Sequence, residues 1–121
     1  MNIFSRDPKR DELRRIPLFA RLPRRRLDLL SRTADVVEVP AGTELIREGE
    51  RGREFFAISA GEVEISQAGR PIATEGAGDV FGELALLYGI PRTATVRTTA
   101  SSRLFVLESR AFHSVLADSF V

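Results

Sequence analysis

Eleven residues, Gly82 to Arg92 in "GELALLYGIPR", bring together an open glycine backbone, a carboxylate and a guanidinium, and raise the question of which ligand needs all three. Gly82 and Glu83 open a stretch of helical character that closes at Gly89 and Pro91. The first amides of a helix have no acceptor inside it, and the helix dipole turns its positive end toward them. A glycine just ahead lets an anion approach the backbone closely. The same residues also read as a plain glycine turn followed by an acid in the first helical turn, which the dipole favours on its own.

Arg92 sharpens the question. In "RTATVRTT" it shares a face with Ala94 and Val96, while Thr95 and Arg97 point the other way. If Ala94 and Val96 face a core, Arg92 faces inward as well. A guanidinium taken out of water needs an anion. Glu83 is one candidate, in an internal salt bridge. A ligand phosphate is the other, since guanidinium binds phosphate through two parallel hydrogen bonds. In the second case Glu83 is left to accept from hydroxyls, as a ribose presents. Thr93 adds a hydroxyl at the pocket edge, and Val63 and Ile72 are apolar strand positions suited to contact a purine.

The elements that must hold these residues are short. Residues 1–10 read as a loose tail, with Pro8 limiting any early helix, and residues 11–121 as a single domain. Two helical pieces are expected between Asp11 and Ser31, broken at Pro17, with Pro23 at a first helical position. The period then changes to two. Strands are expected over residues 34–40, 42–49, 53–59, 61–67, 70–75, 92–99 and 102–108, separated by glycine turns. Residues 109–120 read as a helix capped by Ser109, with Phe112, Val115 and Leu116 on one stripe. The fold class is mainly β with flanking helices, a sandwich or barrel with jelly-roll-like connections.

Bulk properties exclude much other chemistry. At 121 residues the chain suits one domain. There is no cysteine, so disulfides, thiolate metal sites and cysteine nucleophiles are excluded. The one histidine, His113, cannot build a three-histidine metal centre, and the one lysine, Lys9, forms no phosphate-loop motif. No catalytic constellation stands out, and the chain reads as a non-enzyme. No transmembrane run or leader-like N-terminus is present, which fits a cytoplasmic setting. Residues 1–32 hold ten of the 18 Arg/Lys groups against four acids. This basic third could meet nucleic acid or an acidic surface. It carries no interleaved aromatics of the kind single-strand binding needs, so the plainer reading is arginine-coated outer faces of short helices.

At these residues "FGELALL", a short spacer and "PRTATV" resemble the phosphate-binding cassette of the cyclic nucleotide-binding domain family. That family includes the catabolite activator, the regulatory subunits of cyclic nucleotide-dependent kinases and many ligand-gated channels. "LFARLPRRRLDLL" resembles its entry helices, "VPAGTELIREGERGREFFAISAGEVEI" its first strands, and "RLFVLESRAFHSVL" its last strand and following helix. The resemblance covers about Leu13 to Phe120. It implies a β-roll that holds a cyclic nucleotide as ligand, with no further cofactor. In it Glu83 accepts from the ribose 2′-hydroxyl and Arg92 pairs with the cyclic phosphate. The amides near Leu84 and Ala85 assist, Thr93 bonds phosphate or base, and Phe81, Gly82 and Ala94 complete the cassette. The expected ligand is cyclic AMP, with cyclic GMP as the alternative because a hydroxyl follows the arginine.

The resemblance to the catabolite activator stops short of its DNA-reading helix-turn-helix, for which no pattern follows the roll. The long C-terminal helix that lids the base in many members is expected to be missing or cut short here. A binding module acting through an effector domain or partner protein is therefore expected, with ligand binding moving the flanking helices. The competing reading is a degenerate β-roll interaction domain with an internal Glu83–Arg92 salt bridge.

Overall fold

In the computed structural model, which describes residues 7–120, the chain enters through α1 (Pro8–Leu13). This overturns the expected tail for residues 7–10, while residues 1–6 lie outside the described residues. Pro8 starts the helix because proline suits the first turn, where its missing N–H is not needed. The Asp7 carboxylate caps it, accepting from the amides of Lys9 at 3.1 Å and Arg10 at 3.2 Å. A second short helix, α2 (Pro17–Ala20), and then α3 (Arg24–Thr33) follow, so the expected two helical pieces are three.

Eight strands come next: β1 (Asp35–Val39), β2 (Glu44–Ile46), β3 (Glu54–Ala60), β4 (Glu62–Gln67), β5 (Arg70–Gly76), β6 (Val80–Phe81), β7 (Thr95–Thr98) and β8 (Ser102–Glu108). Between β6 and β7 lies α4 (Glu83–Tyr88), and α5 (Ser109–Val115) follows β8. β1 pairs with β8, β2 with β7, β3 with β6 and β4 with β5, all antiparallel. This nesting is one long hairpin rolled on itself, the jelly-roll connection. Lateral pairing of β3 with β8 and β4 with β7 makes two sheets, ordered β1-β8-β3-β6 and β2-β7-β4-β5.

The first sheet is buried on both faces, which explains the unbroken apolar run of β3. Phe55 and Ala57 point to the helices and join Leu13, Ile16, Phe19, Leu27, Leu30, Phe112, Val115 and Leu116. Phe56 and Ile58 point into the roll and join Ile46, Val63, Phe81, Val96 and Leu104. The described arginines of the basic third lie on the outside of the helical layer. Arg10 pairs with Asp28 at 2.6 Å and Arg26 with Asp118 at 2.8 Å, while Phe19 is wholly buried.

Two further boundaries differ from expectation. Ser109 does not cap α5; it is the first helical residue, and its amide donates to the Arg53 carbonyl. The helix ends at Val115 and residues Ala117–Phe120 continue as a 3-10 turn. Among the described residues no helix is long and apolar enough to cross a membrane.

Candidate functional site

The roll opens at a cavity of about 280 Å³ lined by strands β2, β4, β5 and β7, by α4 and by residues 92–94. The elements converge here through one side chain. Arg92 is only 6 % exposed. It lies ahead of β7, not within it, so the strand expected from residue 92 begins three residues later. Its backbone is nonetheless fixed: the amide donates to the Glu50 carbonyl, and the carbonyl accepts from the Gly49 amide, both at 2.8 Å. The guanidinium donates from Nη1 to the Gly82 carbonyl at 2.9 Å and from Nη2 to the Glu54 carbonyl at 2.6 Å. Burial pushes its pKa down, while the Glu54 and Glu83 carboxylates oppose that shift.

Glu83 does not form the internal salt bridge considered from the sequence; no ion pair joins it to Arg92 among the described residues. Its Oε2 is buried without a hydrogen-bond partner. Burial raises the carboxyl's pKa, and only its own amide and the charge of Arg92 pull the other way. A buried carboxylate oxygen left without a donor is costly. The site thus holds one guanidinium tied to carbonyls and one carboxylate open for a donor.

Gly82 makes the arrangement possible. Its φ of 95° is left-handed, and a Cβ there would meet Arg92 Nη1 and the Glu54 carbonyl oxygen at 3.1 Å each. The amides of Leu84 and Ala85 follow in the first turn of α4, where the helix offers no acceptor.

The cavity thus brings together a buried arginine, the first amides of α4 and an unpartnered carboxylate oxygen. The family model for the cyclic nucleotide-binding domain matches residues 36–119. The chain belongs to that family. It is 38 % identical over 109 residues to a cGMP-dependent protein kinase of Toxoplasma gondii, covering 89 % of this chain and 11 % of that kinase. Over 79 residues it is 40 % identical to the cGMP-dependent protein kinase isozyme 1 of Drosophila melanogaster, covering 64 % of this chain and 10 % of the kinase. The regulatory domain of Toxoplasma gondii PKA, crystallised with cAMP, superposes with a TM-score of 0.85 at 32 % identity, covering 97 % of this chain and 48 % of that one. The regulatory subunit of a cAMP-independent protein kinase A from Trypanosoma brucei also gives 0.85, at 25 % identity, covering 90 % and 40 %. The chain spans about a tenth of these curated relatives and under half of these structures. The roll is thus shared by a cAMP complex and by the regulatory subunit of a kinase described as cAMP-independent, so the shared fold does not by itself name the ligand.

Most of the residues singled out from the sequence line this one cavity. Phe81, Gly82, Glu83, Leu84, Ala85, Arg92, Thr93, Ala94 and Ile72 all line the cavity. Val63 does not: it is fully buried in the inner core of the roll. Ile65, two residues on and on the same face of β4, takes the lining position instead. Alternation places both residues on the inner face and does not choose between them. Gly52 was not expected at all. A Cβ there would lie 2.7 Å from the Ala85 Cβ and 3.0 Å from Arg92 Nε, so only glycine leaves room for the guanidinium. Gln67 and Glu75 also line the pocket without having been singled out. Gln67 donates its amide to the Thr93 carbonyl at 2.9 Å.

Proposed function

We propose that the chain is a non-catalytic regulatory module that binds a cyclic nucleotide, with the phosphate on Arg92 and the α4 amides and the ribose 2′-hydroxyl on Glu83. The observation that carries this is the orphaned Glu83 oxygen beside a buried arginine in one cavity. A hydroxyl donor relieves the first, and an anion complements the second. Both cyclic AMP and cyclic GMP meet these demands, since the two share phosphate and ribose.

The output runs through packing. Leu86 of α4 belongs to the same core cluster as Phe112 and Leu116 at the C-terminal end and Leu13 and Phe19 at the N-terminal end. A shift of α4 on the ligand therefore reaches the flanking helices, and through them an effector domain or partner protein.

Calorimetric titration with cyclic AMP and cyclic GMP, with linear 5′-AMP as control, tests the reading. Saturable binding of a cyclic nucleotide and none of 5′-AMP is expected. Absence of binding by both cyclic nucleotides would sink it.

A further inference from the structure

Glu75 is a second carboxylate in the cavity, and nothing so far explains it. Its direction follows from register. In the β4–β5 ladder Glu75 stands directly opposite Val63, and residues opposite one another share a face of the sheet. Val63 is fully buried in the roll, so Glu75 is on the inner face, where the strand pattern calls for an apolar side chain. The side chain lines the pocket with Glu83. No hydrogen bond from a described residue reaches its carboxylate, and its charged neighbours, Asp79 and Glu83, are of its own sign. Burial and those two carboxylates raise its pKa.

Such a residue works against an anionic ligand unless the ligand brings it a hydrogen-bond donor. A cyclic nucleotide has donors in two places only, the ribose 2′-hydroxyl and the edge of the base. Glu83 takes the hydroxyl, which leaves the base edge. Guanine presents N1–H and its 2-amino group side by side, the pair of donors a carboxylate accepts in parallel. Adenine presents its 6-amino group beside a bare N1, whose lone pair faces an oxygen of the ionised carboxylate unfavourably, so the preference is read at a pH well above the raised pKa of Glu75. Polar sites built for a donor discriminate strongly against an analogue that lacks it. Ile72, 55 % exposed at the same pocket, supplies an apolar wall for the base face.

We propose that Glu75 is a base-selecting residue and that the pocket takes cyclic GMP in preference to cyclic AMP. The proposal rests on the cyclic nucleotide reading above and reverses the expectation of cyclic AMP.

The test is calorimetric titration of the parent chain and of Glu75→Leu and Glu75→Gln with cyclic GMP, cyclic IMP and cyclic AMP. Cyclic IMP keeps N1–H and lacks the 2-amino group. The parent should bind cyclic GMP about tenfold or more tightly than cyclic AMP, with cyclic IMP between them. In Glu75→Leu the preference should vanish: affinity for cyclic GMP falls while that for cyclic AMP holds or rises. Glu75→Gln, which keeps one acceptor oxygen, should fall between the parent and the leucine variant. Leucine restores the apolar pattern of the inner face, so its melting temperature should not drop. A parent that binds cyclic AMP as well as cyclic GMP overturns the proposal. So does a leucine variant whose two affinities change by the same factor, since that is charge repulsion alone. Both outcomes leave the cyclic nucleotide reading standing. A parent that binds no cyclic nucleotide removes that reading, and the proposal with it.

Discussion

Arg92 is held by geometry that lysine cannot copy. Its two bonded nitrogens reach carbonyls on different elements, Gly82 ahead of α4 and Glu54 on β3, and a single ammonium on a flexible stem does not present that planar fork. Arg92→Ala should cost about 2–5 kcal/mol of nucleotide binding, and Arg92→Lys should recover little of it in the same titration. Glu83 gives the opposite coupling between fold and function. Its folded pKa lies above the ordinary 4.5. The stability linked to its proton is fully present below the unfolded value and lost as pH rises through the folded one. Glu83→Gln should therefore melt higher than the parent at neutral pH, by about 1 kcal/mol of stability, with the gap closing in acid. Glu83→Gln keeps one acceptor oxygen and should only weaken the preference for ribose over 2′-deoxyribose in the ligand, whereas Glu83→Ala should abolish it. A parent and variant with the same melting temperature at every pH would mean that the buried carboxylate carries no strain.

At the scale of elements, the β4–β5 hairpin turns on Ala68 and Gly69, both at positive φ, 50° and 77°. Two left-handed residues make the turn that matches strand twist, and asparagine tolerates the first position better than alanine. Ala68→Asn should raise stability by about 0.5–1 kcal/mol, read from a denaturant midpoint. α1 is tied to the roll by Glu12, which accepts from Arg103 Nε at 2.7 Å and Nη2 at 3.0 Å and also from the Ser59 hydroxyl. The Arg103 bonds hold the Glu12 carboxyl below its ordinary 4.5. That stability is present above the unfolded pKa and lost as pH falls through the folded one. Arg103→Ala should cost about 1 kcal/mol at neutral pH, since the arginine is partly exposed and screened, and should flatten the acid limb of the stability profile. The strands and the inward turn of Arg92 were legible because alternation marks which residues share a face. α1 was not, because Pro8 was taken as a breaker where it is a starter capped by Asp7. β6 was invisible, since two residues, Val80 and Phe81, carry no period. Nor could the pattern tell Val63 from Ile65: both face inward, and only the rolled sheet decides which one meets the cavity.

For the whole molecule the question is how a small ligand at one end of the roll reaches helices on its far side. α4 is the link, for it carries Glu83 at its first position, packs against α5 and β3, and places Leu86 in the core cluster that the flanking helices share. Gly82 and Gly89 flank it, both left-handed at φ 95° and 62°, and the Gly82 carbonyl accepts from Arg92 Nη1, which ties the start of the helix to the guanidinium. Phe56 and Phe81, stacked with ring centroids 5.1 Å apart, hold the strand ahead of it to β3. Truncation at Leu86 should then separate binding from transmission. In Leu86→Ala the Glu83 and Arg92 contacts stay in place, so nucleotide affinity should change by less than about threefold, while the fold loses about 2–3 kcal/mol to the cavity. Hydrogen exchange of α5 and of the N-terminal helices should respond to ligand in the parent and respond much less in the variant. Equal responses in both would mean that the signal leaves the pocket by another route, and identical exchange in the parent with and without ligand would mean that the helices do not move at all.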